Sequence, residues 1–146
     1  MKKQTLSTIL AASLLATLAA AAAYAGRPAR IAAKVPFAFS VGGQSLPDGA
    51  YTFYQRADGA IEVLGPTGKR YVSYTVPGKS EVRAGGAQIL FHRYDDQYFL
   101  SEVFDGVGST GLKFPVSRQE KEKISTASHP KVAYVVPRDV IVVATN

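Results

Sequence analysis

The sequence predicts an all-β protein: a single antiparallel barrel or sandwich of about 7–9 short strands with one short surface helix. Turn signals recur roughly every eight to twelve residues, which is the spacing of an antiparallel all-β domain. The runs between the turns are rich in Tyr, Phe, Val and Ile, residues that suit a pleated, half-buried surface. The chain is 47% apolar and 19% charged, which excludes a disordered tail, and its 146 residues allow one domain.

The first segment is predicted to be an export signal. Lys2 and Lys3 precede a Leu- and Ala-rich run over residues 6–23, and Ala23 and Ala25 supply the small side chains that a signal peptidase requires. We expect a signal peptide over residues 1–25, cleaved between Ala25 and Gly26, and one β-domain over residues 26–146. An uncleaved leader would instead tether the same domain to the membrane.

The predicted leader indicates a secreted or periplasmic protein. The formal net charge is +6, and loss of Lys2 and Lys3 with the leader leaves +4, an ordinary solubilising charge. Nucleic acid is not an expected partner outside the cytoplasm, whereas a cell-envelope polymer or a small apolar ligand is compatible with that location.

The predicted strands follow one another between these turns. In the first hairpin, a three-residue loop over 57–59 with Gly59 at positive φ places Phe53 opposite Val63 and Gln55 opposite Ile61. This register separates apolar from polar side chains better than a two-residue loop does. The strands are expected at residues 31–41, 50–56, 60–64, 70–76, 88–94 and 98–104.

One later segment has a helical pattern. Ser117 and Glu120 have the spacing of a capping box, with Pro115 just before them. We expect a short surface helix at about 117–126, with Ile124 as its main apolar contact. Beyond Pro130, apolar runs at 131–136 and 140–144 predict two C-terminal strands.

The hairpin over residues 88–104 carries the densest group of polar and aromatic side chains, and its register has two solutions. A two-residue loop of Asp95 and Asp96 sets His92 opposite Phe99 and diagonal to Ser101. A three-residue loop sets His92 opposite Leu100 and diagonal to Glu102. A hydroxyl beside a histidine, or a carboxylate orienting one, would be the beginning of a hydrolase site.

Neither register supplies a third catalytic member, so we predict no catalytic residue and no enzyme. The candidate ligand-binding residues are His92, Tyr94, Tyr98 and Glu102. The chain has no Cys and two His, so no metal site and no cofactor are predicted. Acidic residues at a hairpin tip usually bond nearby backbone N–H groups instead of a cation.

Five stretches carry a resemblance: V-P-F-A-F at 35–39, L-P-D-G-A-Y at 46–51, F-H-R-Y at 91–94, Y-F-L-S-E-V at 98–103 and P-V-S-R-Q-E at 115–120. In these the chain resembles a group of uncharacterised small secreted bacterial proteins, over about residues 30–122. The resemblance implies an exported β-domain with no established activity. It also implies that the strands beyond Pro130 are an extension, and that Asp95 stands where the group has a small residue.

The leading functional hypothesis is an exported, non-enzymatic binding or structural module of the periplasm or cell surface. One alternative is a lipocalin-like carrier of a small apolar ligand, which the number of strands and the aromatic content would suit. The other alternative is a hydrolase that uses His92 with Ser101 or Glu102.

Overall fold

In the described part of the chain, two sheets pack face to face and one helix lies on the outside. The computed structural model describes residues 29–82, 86–127, 130–137 and 139–142, and the predicted cleavage site at Ala25 and Gly26 lies outside them. The described strands are β1 Ala29–Val35, β2 Phe39–Val41, β3 Gln44–Leu46, β4 Gly49–Gln55, β5 Ala60–Leu64, β6 Arg70–Tyr74, β7 Val76–Lys79, β8 Gln88–Tyr94, β9 Gln97–Phe104, β10 Thr110–Lys113, β11 Lys131–Val135 and β12 Asp139–Val142, and the helix is α1 Arg118–Thr126.

The all-β fold class is confirmed, and the architecture is a sandwich, not a closed barrel. Sheet A has the strand order β12-β1-β4-β5-β6. Sheet B has the order β11-β8-β9-β10-β7, and β2 joins it through a parallel pairing with β9 while β3 pairs with β2. The remaining pairings are antiparallel.

The described residues form twelve strands, more than the predicted seven to nine, because two predicted runs are interrupted. Pro36, which has no N–H for a strand ladder, divides the run 31–41 into β1 and β2. The run 70–76 breaks at Thr75 into β6 and β7, which belong to different sheets. The short strands β3 and β10 lie in turn-rich segments where the sequence predicted none.

The hairpin of β4 and β5 has the predicted register. Phe53 pairs with Val63 and Gln55 pairs with Ile61, and Gly59 has φ +81° in the loop. The crossing from β6 to β7 is fixed on this loop, since the backbone N–H and the hydroxyl of Thr75 both donate to the Gly59 carbonyl, at 3.3 and 2.7 Å.

The core lies between the two sheets and is rich in aromatic side chains. The Phe39 ring packs edge to face on Tyr51 of sheet A and on Phe91 of sheet B, at centroid distances of 5.0 and 5.2 Å. Ile31 and Val63 belong to the same buried cluster. Edge-to-face aromatic pairs stabilise beyond the area that they bury, so Phe39 links the layers.

The helix begins where the capping pattern predicts. Ser117 is its N-cap and accepts the Glu120 backbone N–H at 3.2 Å. The expectation for Ile124 is wrong: its side chain is 49% exposed, and the buried residue of α1 is Glu120. The Glu120 carboxylate takes the place of the expected aliphatic contact because His92 and Tyr94 lie beneath the helix and bond to it.

Both predicted C-terminal strands form. β11 pairs with β8 at the edge of sheet B, and β12 pairs with β1 at the edge of sheet A. Residues 143 and 144 of the second predicted run lie outside the described residues. None of the helical structure in the described part of the chain is long and apolar enough to cross a membrane.

Candidate functional site

The hairpin of β8 and β9 positions His92. Tyr94 pairs with Gln97 and His92 pairs with Phe99, so the two-residue loop is the observed solution. Asp95 takes a left-handed conformation at φ +53°, which Asp tolerates better than most residues. His92 and Tyr94 alternate on β8 with the core residue Phe91, so they face outward from sheet B.

A β-bulge places Ser101 beside the histidine. Leu90 pairs with Glu102 while Phe91 pairs with Leu100, which leaves Ser101 as the extra residue of β9. Its hydroxyl oxygen lies 3.1 Å from His92 Nε2. Its carbonyl accepts the Phe114 N–H at 2.8 Å, so the bulge residue is held on both its side-chain and main-chain atoms.

Glu120 of α1 completes this group. Its Oε1 lies 3.0 Å from His92 Nδ1 and accepts the Tyr94 hydroxyl at 3.5 Å. Burial raises the pKa of Tyr94, and the negative charge of Glu120 raises it further. We call His92, Tyr94, Ser101 and Glu120 the His92 cluster.

The contacts in the His92 cluster follow the sequence found in a catalytic triad. The Glu120 carboxylate contacts His92 Nδ1, and His92 Nε2 contacts the Ser101 hydroxyl. With Nδ1 protonated and donating to Glu120, Nε2 is the acceptor for the Ser101 hydroxyl. The same bonds also attach α1 to sheet B. Among the described residues, no buried side-chain N or O atom lacks a hydrogen-bond partner. The cavity lined by Ile31, Phe53 and Asp105 does not include any residue of the His92 cluster. The geometry therefore fits a structural attachment better than a substrate site.

Glu102 lies in a second, separate group on the same side of sheet B. Its side chain is 1% exposed. It accepts the Ser80 hydroxyl and, at 3.2 Å, the Glu81 N–H, and its Oε2 lies 3.9 Å from Lys113 Nζ. Lys113 also bonds the Glu81 carboxylate at 2.9 Å. That hydrogen bond is the main cause of a lowered Glu81 pKa, against an opposing effect of burial.

Tyr98, the remaining predicted ligand-binding residue, is not part of either group. Its ring stacks on Phe37 at a centroid distance of 3.8 Å, and the Arg93 guanidinium lies 5.4 Å from its centroid on the same hairpin. Because both neighbours already pack on its ring, Tyr98 is a packing residue at the edge of the core.

The acidic turn residues do not form a metal site in the structure. Asp105 accepts the Val107 N–H at 2.9 Å, and Asp96 lies 3.3 Å from the Arg93 guanidinium. Within the described ranges, no three His, Asp or Glu side chains are placed to hold a metal ion.

The outer side of sheet A forms a different kind of surface. Arg30 pairs with Tyr54, which in turn pairs with Glu62, and directly paired residues share a sheet face. Because side chains alternate along a strand, further residues join the same side. We define the cationic face as Arg30, Lys34, Tyr54, Arg70 and Tyr74.

Among the residues whose side chains the structure describes, Glu62 is the acidic residue that bonds the cationic face. Glu62 is shared by Arg70 at 3.5 Å and by Arg56 at 4.0 Å. The ion pairs found among residues with described side chains do not include Arg30 or Lys34, and Asp139 pairs with Ala32, between them on β1. The Arg30 guanidinium lies over the Tyr54 ring, 5.6 Å from its centroid, in a cation–π contact.

Sequence reasoning missed Glu120 and the cationic face. Glu120 was assigned to the capping box, where it would have reached back to the backbone, but its side chain reaches His92 instead. The cationic face could have been found by extending the β4–β5 register to the flanking strands, since Arg30 and Lys34 alternate with buried residues on β1 and Arg70 pairs with Leu64.

Comparison of the chain with protein-family models, with curated proteins and with solved structures found no match.

Proposed function

We propose that the protein is an exported, non-enzymatic binding module of the cell envelope that holds an acidic polysaccharide on the cationic face. The predicted leader over residues 1–25 supports export. The observation that carries the binding function is the combination of three exposed cations with the exposed ring of Tyr74 on the outer side of sheet A.

The spacing of the cations suits a polymer. Arg30 and Lys34 are four residues apart on β1, or about 13 Å. Arg70 lies three strands away on β6, or about 14 Å across the sheet. Charges spread over such a distance match repeated carboxylates along a chain, whereas a single small anion would need them to converge.

The tyrosines favour a sugar polymer over other polyanions. Tyr74 is 72% exposed, and the strand geometry puts its Cα about 12 Å from that of Tyr54. Sugar rings present apolar C–H faces beside their charged substituents. Tyrosine rings have an apolar body and a polar tip, which suits such a sugar face. On the outer side of sheet A they share one face with the arginines.

Binding is tested by isothermal titration with polygalacturonate as the acidic polymer and dextran as the neutral one. We expect binding to polygalacturonate that weakens as salt is added, because exposed charges are screened, and no binding to dextran. Equal affinity for both polymers, or none for polygalacturonate, would overturn the proposal. So would binding to anionic lipid vesicles without binding to the polymer.

A pair of charge-matched variants locates the surface. Arg30→Gln/Arg70→Gln should weaken polygalacturonate binding at least about tenfold at low salt. Arg118→Gln/Lys121→Gln removes the same charge from the exposed side of α1 and should change the affinity less than about twofold. Equal losses in the two variants would show nonspecific attraction and contradict the assignment.

The contribution of the rings is separated from that of the charges by two changes at one position. Tyr74→Ala should lower the affinity, whereas Tyr74→Phe keeps the stacking ring and should retain most of it.

Export is tested independently by mass spectrometry of the protein recovered from the periplasm, which should begin at Gly26. Recovery from the cytosol with Met1 intact would overturn the export part of the proposal.

A further inference from the structure

A cavity of about 180 Å³ opens between the two sheets at one end of the sandwich. Its floor is formed by Ile31, Phe53, Ile61 and Val103, each no more than 3% exposed. These side chains come from both layers, so the cavity is a gap in the core that reaches the surface.

The mouth of the cavity is polar. Gln55, Asp105 and Thr110 contribute to its lining. The Asp105 carboxylate receives the Val107 N–H on Oδ1. A carboxylate has two acceptor oxygens, so Oδ2 can accept a donor group from a ligand. The mouth therefore combines a negatively charged hydrogen-bond acceptor with an amide and a hydroxyl.

We propose that this cavity binds a compact aromatic alcohol or amine, with the ring on the apolar floor and the donor group directed at Asp105. An apolar cavity of about 150 Å³ is large enough for benzene, so about 180 Å³ accepts one ring with a short polar substituent. Drug-sized ligands need roughly 300–1,000 Å³ and are too large. This site is independent of the cationic face.

The physical reason for an occupant is the contrast between floor and mouth. Ordered water needs two to four polar partners, which the four floor residues do not provide. An empty gap leaves their surfaces without contacts and destabilises the fold. A molecule with an apolar body and one donor satisfies both parts of the cavity.

The experiment is a titration followed by methyl NMR, with benzyl alcohol, benzylamine, toluene and benzoate as the probes. Methyl signals of Ile31 and Ile61 should shift with the alcohol and the amine, more weakly with toluene and least with benzoate. Ile124 on α1 is the internal reference and should not move. Exposed Lys79 lies opposite Thr110 across β7 and β10, so benzoate also tests for a cationic mouth. Benzoate binding as tight as the amine, equal shifts at Ile124, or no shift at all would overturn the proposal.

Two substitutions separate the head group from the cavity. Asp105→Asn keeps an acceptor for the Val107 N–H but removes the charge, so benzylamine should bind at least about fivefold more weakly and benzyl alcohol nearly unchanged. Thr110→Phe, at an exposed position, should block the mouth and abolish all binding. Thr67→Phe, in the exposed turn after β5, is its control and should bind normally. Unchanged binding in Thr110→Phe would show that the ligand lies elsewhere.

Discussion

The outer faces of the two sheets are built from similar strands but are used differently. On sheet B, α1 and residues 80–81 contact the strands through two almost fully buried carboxylates, Glu120 and Glu102. On sheet A, the cationic face is open, and its carboxylate Glu62 is shared by two arginines at longer distances. A charge that is buried with a full set of partners fixes one element on another, whereas an exposed charge contributes little to stability and is free to meet a solute.

The largest effect is expected on sheet B, where Gly111 leaves the space that Glu102 occupies. A Cβ at Gly111 would clash with Glu102 Oε1 and lie 2.7 Å from Glu102 Cδ, so Gly111→Ala should lower the free energy of unfolding by about 3 kcal/mol. Gly78, its partner across the ladder, is the control, since a Cβ there meets flexible Lys113 at 3.5 Å. Urea denaturation should show Gly78→Ala near wild type, and equal losses would contradict the packing of Glu102.

Breaking the attachment of α1 should have the next largest effect. Glu120→Ala leaves His92 Nδ1 and the Tyr94 hydroxyl without their partner, so we expect a loss of about 2 kcal/mol and faster tryptic cleavage at Lys121 and Lys123. Glu122→Ala breaks an exposed pair with Arg118 and should cost less than about 0.5 kcal/mol. Similar cleavage rates in both variants would show that Glu120 does not hold the helix.

The loss of stability at alkaline pH tests the core between the two sheets, where Tyr51 is buried. Burial, followed by Tyr71 and then Asp48, raises the pKa of Tyr51 to about 12 from its ordinary value of 10.0. The folded state thus holds this proton more tightly, so the stabilisation is complete below pH 10 and is lost as the pH rises through 12. We expect a fall on the order of 2 kcal/mol over that window in urea denaturation.

The matched variants for this pH effect are Tyr51→Phe and Tyr74→Phe. Tyr51→Phe loses the hydrogen bond to the Pro47 carbonyl but should flatten the alkaline slope. Part of the slope should remain, because the pKa of Tyr94 is also raised by burial. Tyr74→Phe removes an exposed phenol and should keep the wild-type slope; a flattened slope there would exclude Tyr51 as the cause.

A smaller effect is expected at Ser101, where the structural and hydrolytic interpretations of the His92 cluster separate. Ser101→Ala removes one hydrogen bond and should cost about 1 kcal/mol. The wild-type protein should not hydrolyse p-nitrophenyl acetate above the buffer rate. Hydrolysis that disappears in folded Ser101→Ala and His92→Ala variants would replace the binding function by the hydrolase.

The smallest effect belongs to the cationic face. Arg30→Gln and Arg70→Gln should each change the free energy of unfolding by less than about 0.5 kcal/mol, because Arg70 is in an exposed ion pair and Arg30 in an exposed cation–π contact. Thermal denaturation checks this. A larger loss would mean that these arginines stabilise the sheet, and reduced polymer binding could then reflect unfolding.

Local patterns in the sequence predicted the fold class, the β4–β5 register and the N-terminus of α1. Each of these depends on side chains within a few residues of one another, such as Gly59 in its loop or Ser117 before the helix. Turn chemistry and alternation decide such features without any information about distant parts of the chain.

The sequence did not predict contacts between distant segments. Glu120 is 28 residues from His92, and Ser80 is 22 residues from Glu102, so no short spacing connects them. The bulge at Ser101 also follows from the partner strand, which decides where the extra residue falls. The choice between a barrel and a sandwich also depends on pairings between distant strands, such as β1 with β12.

That change of sheet at Thr75 ties the two layers mechanically. The chain leaves sheet A at Tyr74 and enters sheet B at Val76, and the segments that join β1 to β2 and β3 to β4 also pass from one layer to the other. A force that pulls the layers apart is therefore transmitted along these covalent connections into both ladders. Amide protons of both layers should consequently become open to exchange in a single shared event.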